Sequence, residues 1–187
     1  MPLILASASP RRREILNLLG LRFITVPSHV EEKDMPGTPE EKARLWAMLK
    51  AEAVAGRASG GVIIGADTIV VLEDRILGKP QSEREAGEML GQLSGRTHRV
   101  ITGLALINMV NGQRILESVE SKVSFRALSK DEIDSYIATK EPMDKAGAYG
   151  IQDRGANFVT GVEGCYTNVI GLPVTCLLKS LARCLLV

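Results

Sequence analysis

The chain has 187 residues, 45% hydrophobic and 24% charged, which fits one globular domain over residues 1–187 with a buried core. Its net charge of +1 lacks the positive excess of proteins that bind nucleic acid or membrane surfaces, so we expect neither partner. Three cysteines without Cys-x-x-Cys spacing, two scattered histidines, no signal peptide and no membrane-length apolar run predict a reduced, soluble, cytoplasmic protein.

The first predicted helix carries three positive charges where helices usually carry acidic residues. Residues 3–6 form a short apolar strand, after which Ser9 caps a helix that begins at Pro10. Arginines occupy positions 11–13, although the dipole already makes a helix N-terminus positive. A strand, a tight loop and this helix start predict a phosphate-binding site. From this stretch alone, three solvated arginines with Glu14 as a partial partner are an equally good interpretation.

The second predicted helix places a lysine on an otherwise apolar face. A strand over residues 23–26 and a polar loop over 27–39 precede it. Thr38 as N-cap and Glu41 three residues later match a capping box. Lys50 falls on a stripe at three- and four-residue spacing, so it is hard to interpret as a surface residue. The rest of that stripe consists of Ala43, Ala47 and Val54.

Asp67 is the strongest candidate for a catalytic residue. It is the only charge in an apolar strand predicted over residues 62–72, where an ionised carboxylate is costly unless a cation, a metal or hydrogen bonds compensate it. Thr68 beside it supplies a hydroxyl group. The alternative is structural, with Asp67 only pairing with a lysine or capping a bulge.

The remaining elements predict a mixed sheet. A short strand over residues 75–77 returns along the previous one and leads to Lys79. Lys79 lies between glycine and proline on a short, stiff segment. A surface lysine in a turn is the alternative interpretation. Two long strands turning at residues 111–112 read as a hairpin, which argues against a wholly parallel sheet. We therefore expect an α/β domain with helices flanking a mixed central sheet. The other predicted elements are helices over 82–93, over 129–139 and from 173 onward, and a strand over 158–162.

A glycine-rich loop over residues 142–155 contains Gln152, whose amide is both donor and acceptor, as reading a pyrimidine edge requires. Glu31, in the polar loop, could supply a second carboxylate for a cation, although solvated loop acids are the more ordinary interpretation. There is no Walker A loop and no Gly-x-Gly-x-x-Gly fingerprint, so kinase and dinucleotide-binding functions have no support.

Seven motifs in order resemble the Maf family of nucleoside triphosphate pyrophosphatases, over essentially the whole chain. Within that family, the chain is similar to the branch that acts on dTTP and UTP. The motifs are Ser7-x-Ser-Pro-Arg-Arg12, Gly65-Ala-Asp-Thr68, Gly78-Lys-Pro80, Leu93-Ser-Gly-Arg96, Glu141-Pro-Met-Asp-Lys-Ala-Gly147, Tyr149-Gly-Ile-Gln152 and Gly171-Leu-Pro173.

The resemblance implies an inosine triphosphatase-like fold of two lobes with a cleft. It also implies a divalent metal cofactor, Mg²⁺ or Mn²⁺, and hydrolysis of a nucleoside triphosphate to the monophosphate and pyrophosphate. Asp67 would be the proton acceptor, with Glu31 helping to hold the metal, and sequence leaves open whether Asp67 is the base or a metal ligand. The resemblance assigns Arg11, Thr68 and Gln152 to substrate specificity, and Ser7, Arg12, Lys50 and Lys79 to the phosphates.

Two departures from the family pattern bear on local loop shape and on substrate preference, not on the reaction. Asp153 follows Gln152 where the family usually has glycine, and Cys165 stands between Gly164 and Tyr166 where aspartate is usual. Neither replaces a residue assigned to chemistry.

Two other functions compete with the first. A nucleotide-binding regulator of cell division is also associated with the family, but a pure sensor could do without a costly buried carboxylate. A 7-methyl-GTP pyrophosphatase is opposed by the three residues assigned to the pyrimidine branch. The expected partner is a small nucleoside triphosphate, and a homodimer is left open.

Overall fold

A mixed seven-stranded sheet organises the chain, whose computed structural model describes residues 1–31 and 35–185. The strand order is β2-β1-β3-β5-β6-β7, and β4 pairs with β3 outside that path. The strands are β1 (Leu3–Leu5), β2 (Phe23–Thr25), β3 (Val62–Leu72), β4 (Arg75–Leu77), β5 (Thr97–Asn108), β6 (Arg114–Phe125) and β7 (Val159–Glu163).

Helices fall between the strands much as the sequence predicts. They are α1 (Pro10–Leu18), α2 (Pro39–Ala55), α3 (Glu83–Leu93), α4 (Lys130–Ala138), α5 (Tyr166–Ile170) and α6 (Val174–Leu185). The glycine-rich region resolves into short 3₁₀ segments, Glu141–Asp144, Ala146–Ala148 and Arg154–Phe158. Among these helices, none is both long and apolar enough to cross a membrane.

Pairing directions confirm the mixed sheet. Strand β1 lies parallel to both β2 and β3, with Leu5 opposite Thr25 on one side and Ile64 on the other. Strand β4 runs antiparallel to β3, and β7 antiparallel to β6. The sheet therefore combines a parallel part, joined by helical crossovers, with an antiparallel part.

The predicted helix starts are confirmed. The Thr38 hydroxyl oxygen accepts a hydrogen bond from the Glu41 amide, and the Glu41 carboxylate accepts one from the Thr38 amide. Together these two bonds form the capping box of α2. Ser129 and Glu132 form a second capping box at α4, and Ser82 caps α3. Helix α5 was missed by the sequence interpretation, because its five residues are too few to show a helical period.

Internal contacts divide the chain into two compact units. The first unit comprises residues 1–67, 102–119 and 171–187, and its core includes Ile4, Ala6, Ile63, Ala105 and Ile107. The second comprises residues 68–101 and 120–170, and its core includes Leu90, Leu93, Val123, Phe125 and Phe158. Two such units agree with the two expected lobes, while the cleft stays a prediction.

Helix α2 packs unusually close to the sheet within the first unit. A Cβ on Gly65 of β3 would collide with the Ala47 carbonyl oxygen, and one on Gly103 of β5 would collide with that of Ala43. Only glycine lets the two backbones approach this far. The close packing brings the next turn of α2, which carries Lys50, down onto β3.

Candidate active site

Ser7 and Arg12 meet at the start of α1, in the first unit. Ser7 follows β1 directly and Arg12 lies in the first turn of the helix, and both side chains are buried. The guanidinium Nε of Arg12 donates to the Gly171 carbonyl oxygen (2.8 Å), and a terminal nitrogen donates to Ser7 Oγ (3.1 Å). The Arg12 cation is thus held at a fixed place beside a helix N-terminus, where anions are favoured.

The loop before α1 is arranged by Ser7. Ser9 has extended backbone angles, as an N-cap does, but its side chain makes no capping bond within the described part of the chain. Its amide instead donates to Ser7 Oγ at 3.2 Å. Arg11 is half-buried and Arg13 is exposed, so the three arginines are not equivalent and Arg12 is the buried one.

Lys50 and Asp67 form a buried ion pair in the same unit. Lys50 Nζ donates to Asp67 Oδ1, with the side chains 11% and 4% exposed. The lysine comes from the apolar stripe of α2 and the aspartate from the centre of β3, as the sequence predicts. The alternative interpretation of Asp67 was structural, with the carboxylate pairing with a lysine, and the structure shows such a pair with Lys50.

Stability alone gives little reason for such a pair. Burying two charges costs several kcal/mol per ion, and the attraction between them often only balances that penalty. Apolar residues of similar volume would serve a purely structural purpose as well. A buried carboxylate held by a lysine, in a unit that also holds a buried arginine at a helix start, is therefore a functional-site candidate.

A carboxylate such as that of Asp67 is a type of ligand that hard divalent cations accept. Mg²⁺ is usually held by one or two carboxylates together with substrate phosphate oxygens, rather than by an all-protein cage. No group of three or more His, Cys, Asp or Glu side chains gathers as a metal site within residues 1–31 and 35–185. Glu31, the other expected ligand, is exposed at the end of the first described stretch.

Three predicted site residues lie in the second unit. Thr68, half-buried, follows Asp67 on β3. Lys79 is exposed after β4, and its carbonyl oxygen accepts from the Gln81 side chain at 3.1 Å. Gln152 is exposed, and its side chain makes no hydrogen bond to any residue that the structure describes. Its amide is therefore available to a ligand.

A tyrosine and a glutamate brace the loop that carries Gln152. Tyr136 donates its hydroxyl to Glu141 Oε1 (2.7 Å), and the same oxygen accepts from the Gly155 amide (3.3 Å). Burial and the bond to Glu141 raise the pKa of Tyr136, so its hydroxyl stays protonated. Glu141 stands in one of the seven sequence motifs, whereas no sequence signal distinguishes Tyr136, because its helical spacing resembles that of any core aromatic.

His98 and the two positions that depart from the family pattern also lie in the second unit. His98, 1% exposed, shares a 2.7 Å hydrogen bond with the Tyr149 hydroxyl, and burial lowers the pKa of His98 to about 4. It is therefore neutral at neutral pH and supplies no cation for phosphate. At Cys165, a family departure, the backbone amide donates to Ser121 Oγ at 3.0 Å, and the side-chain sulfur shares a 3.2 Å hydrogen bond with the Thr167 hydroxyl. Asp153, the other departure, is exposed.

Comparison with known proteins gives consistent matches over the full length. A family model described as "Maf-like protein" matches residues 2–184. A relative from Moorella thermoacetica, named dTTP/UTP pyrophosphatase, is 50% identical over 92% of this chain and 89% of its own. A relative of the same name from a Geobacillus strain is 50% identical over 97% of both chains. Another of that name, from Clostridioides difficile, is 46% identical over 94% of this chain and 91% of its own.

Among solved structures, the Staphylococcus aureus Ham1 protein resembles this chain with a TM-score of 0.50. The likeness covers 98% of this chain and 99% of the other at 14% sequence identity, so it speaks for the fold alone. Together with the strand order, it confirms the inosine triphosphatase-like α/β fold expected from the sequence.

Proposed function

The chain belongs to the Maf-like protein family, and from that premise we propose that it hydrolyses dTTP and UTP to the nucleoside monophosphate and pyrophosphate. The full-length match to relatives named dTTP/UTP pyrophosphatase carries the proposal. The first unit adds chemical support, because it contains a buried Arg12 at a helix N-terminus and a buried Lys50–Asp67 pair.

Hydrolysis of a phosphoanhydride needs charge neutralisation, alignment and an activated water. Water attacks the α-phosphorus, the bond from that phosphorus to its bridging oxygen breaks, and pyrophosphate leaves with the oxygen. We assign acceptance of the water's proton to Asp67. Arg12 and Ser7 would hold phosphate oxygens at the start of α1, together with the N–H groups of the first helical turn.

Lys50 would have two tasks. An ammonium group has three donors, so a lysine can orient a carboxylate and hold a phosphate oxygen at once. Lys79, exposed on its short arm, would contribute further positive charge to the triphosphate. A Mg²⁺ or Mn²⁺ ion, held by Asp67 with Glu31 and phosphate oxygens, would supply further neutralisation of charge.

Substrate selection is assigned to Gln152, with Arg11 and Thr68 as further contacts. An amide can donate to a pyrimidine carbonyl and accept from the ring N3–H, a pair of bonds that uracil and thymine share. Cytosine reverses the pattern, because its N3 is an acceptor and its C4 carries an amino group. A fixed Gln152 amide therefore cannot satisfy both kinds of base.

We expect the purified chain, supplied with Mg²⁺ or Mn²⁺, to convert dTTP and UTP to monophosphate and pyrophosphate. The products can be separated by anion-exchange chromatography, and ¹⁸O-labelled water shows which phosphorus is attacked. Label in the monophosphate is expected. Orthophosphate as the first product would contradict the proposal, because it places attack at the γ-phosphorus.

We expect Gln152→Ala to narrow the preference for UTP over CTP in kcat/KM. An unpaired buried polar group costs about 1–3 kcal/mol, so the wild-type preference should be about 5- to 150-fold. Gln92→Ala, a substitution on α3 of the same unit, is the control and should leave the ratio unchanged. If Gln152→Ala slows UTP and CTP by the same factor, Gln152 only supports its loop.

Neither competing function gains support from these observations. A regulator that binds nucleotide without turnover gives no reason for the buried Asp67, and the relatives named above carry the name of a dTTP/UTP pyrophosphatase. Localisation in the cytoplasm stays a prediction, and a homodimer stays open.

A further inference from the structure

The loop that carries Gln152 is held by hydrogen bonds on both sides of that residue. On the N-terminal side, the Gly150 amide donates to the Tyr136 hydroxyl oxygen at 3.2 Å. On the C-terminal side, the amides of Arg154 and Gly155 donate to Glu141 Oε2 and Oε1, each at 3.3 Å. The tyrosine hydroxyl donates in turn to the glutamate, so the two side chains form one connected support.

The support itself is rigidly placed. Tyr136 is 4% exposed on α4, and its ring packs edge-on against Phe158 with centroids 5.0 Å apart. Gly155 comes so close that a Cβ there would lie 2.6 Å from the Gly150 carbonyl oxygen and 2.9 Å from the tyrosine hydroxyl. The backbone on either side of Gln152 is thus pinned at three amides, while the Gln152 side chain itself is exposed.

An amide that distinguishes two bases by donor and acceptor order must keep one orientation. The Gln152 side chain makes no hydrogen bond to a described residue, so what the protein fixes before a ligand binds is the backbone from which that amide projects. We propose that Tyr136 and Glu141 are positioning residues for base selection, which fix the loop from Gly150 to Gly155 so that Gln152 presents one amide geometry to the pyrimidine. This inference rests on the proposed function.

The test compares kcat/KM for UTP and CTP in Tyr136→Phe and Glu141→Gln, each alone and combined with Gln152→Ala. Phenylalanine keeps the packing on Phe158 but loses the hydroxyl, and glutamine replaces one acceptor oxygen by a donor. We expect each single variant to narrow the UTP-to-CTP ratio by about three- to tenfold. In the Gln152→Ala background, neither should change the ratio further, because residues that act through one group are not additive.

Ser129→Ala is the matched control, since it removes the cap of the same helix α4 without touching the loop. It should lower the thermal midpoint and leave the ratio at its wild-type value. A ratio unchanged in Tyr136→Phe and Glu141→Gln, or narrowed further in the Gln152→Ala background, overturns the inference. A wild-type UTP-to-CTP ratio in Gln152→Ala alone would overturn the inference as well. Failure of the proposed function looks different, because the wild-type chain would then show no UTP turnover.

Discussion

Asp67→Asn is expected to lower kcat for dTTP and UTP by about 10²–10⁴, the usual cost of losing a general base. Asparagine is nearly isosteric and keeps an oxygen that can accept from Lys50, so the fold should persist, although the buried Lys50 ammonium loses its counter-charge and the thermal midpoint should fall. It cannot accept a proton from water or bind a cation as an anion does. The measurement is steady-state turnover with Mg²⁺ or Mn²⁺, together with circular dichroism and the thermal midpoint.

Asp74→Asn is the control for this variant. Asp74 is an exposed acid in the turn that follows β3, so its substitution removes one negative charge without reaching the ion pair. It should retain wild-type kcat. Turnover of Asp67→Asn within a few-fold of wild type would show that the carboxylate is structural.

The second large effect is expected on stability, from Lys50→Met. Removing the lysine leaves the Asp67 carboxylate buried without the cation that pairs with it, and breaking a buried pair in this way costs about 3–5 kcal/mol. Methionine has a similar length and keeps the apolar packing of the lysine stem. The free energy of unfolding, measured in urea, should fall by that amount.

Two further variants separate the ion pair from general effects of the substitution. Lys179→Met changes an exposed lysine on α6 of the same unit and should alter the free energy of unfolding by less than about 0.5 kcal/mol. The double variant Lys50→Met/Asp67→Asn lacks both charges and should be more stable than Lys50→Met alone. The loss of unfolding free energy in the double variant is compared with the sum of the losses in Lys50→Met and Asp67→Asn. If the two are equal, the two side chains do not depend on each other.

The elements that sequence predicted well are those with local signals. Capping residues marked the starts of α2, α3 and α4, and the apolar run of β3 was found with its bounds because a long buried strand has few alternatives. The burial of Lys50 followed from helical spacing alone. Asp67 stood out because a lone charge in such a strand needs a partner.

What sequence could not supply was the partner of each group. The Lys50–Asp67 pair joins residues 17 positions apart, and Arg12 contacts Gly171 across 159 positions. Such contacts follow from the order of the strands and not from any local pattern. Tyr136 was missed for the same reason, since its hydroxyl acts on a loop that begins beyond its own helix.

The glycines beneath α2 extend the set of positions on which the chemistry depends. Neither Gly65 nor Gly103 carries a side chain, yet a methyl group at either would push the helix away from the sheet and lift Lys50 with it. Such a change would weaken catalysis without altering any reactive group. Mutational tolerance in this protein is therefore governed by spacing as well as by chemistry, and a search confined to charged residues would underestimate the vulnerable positions.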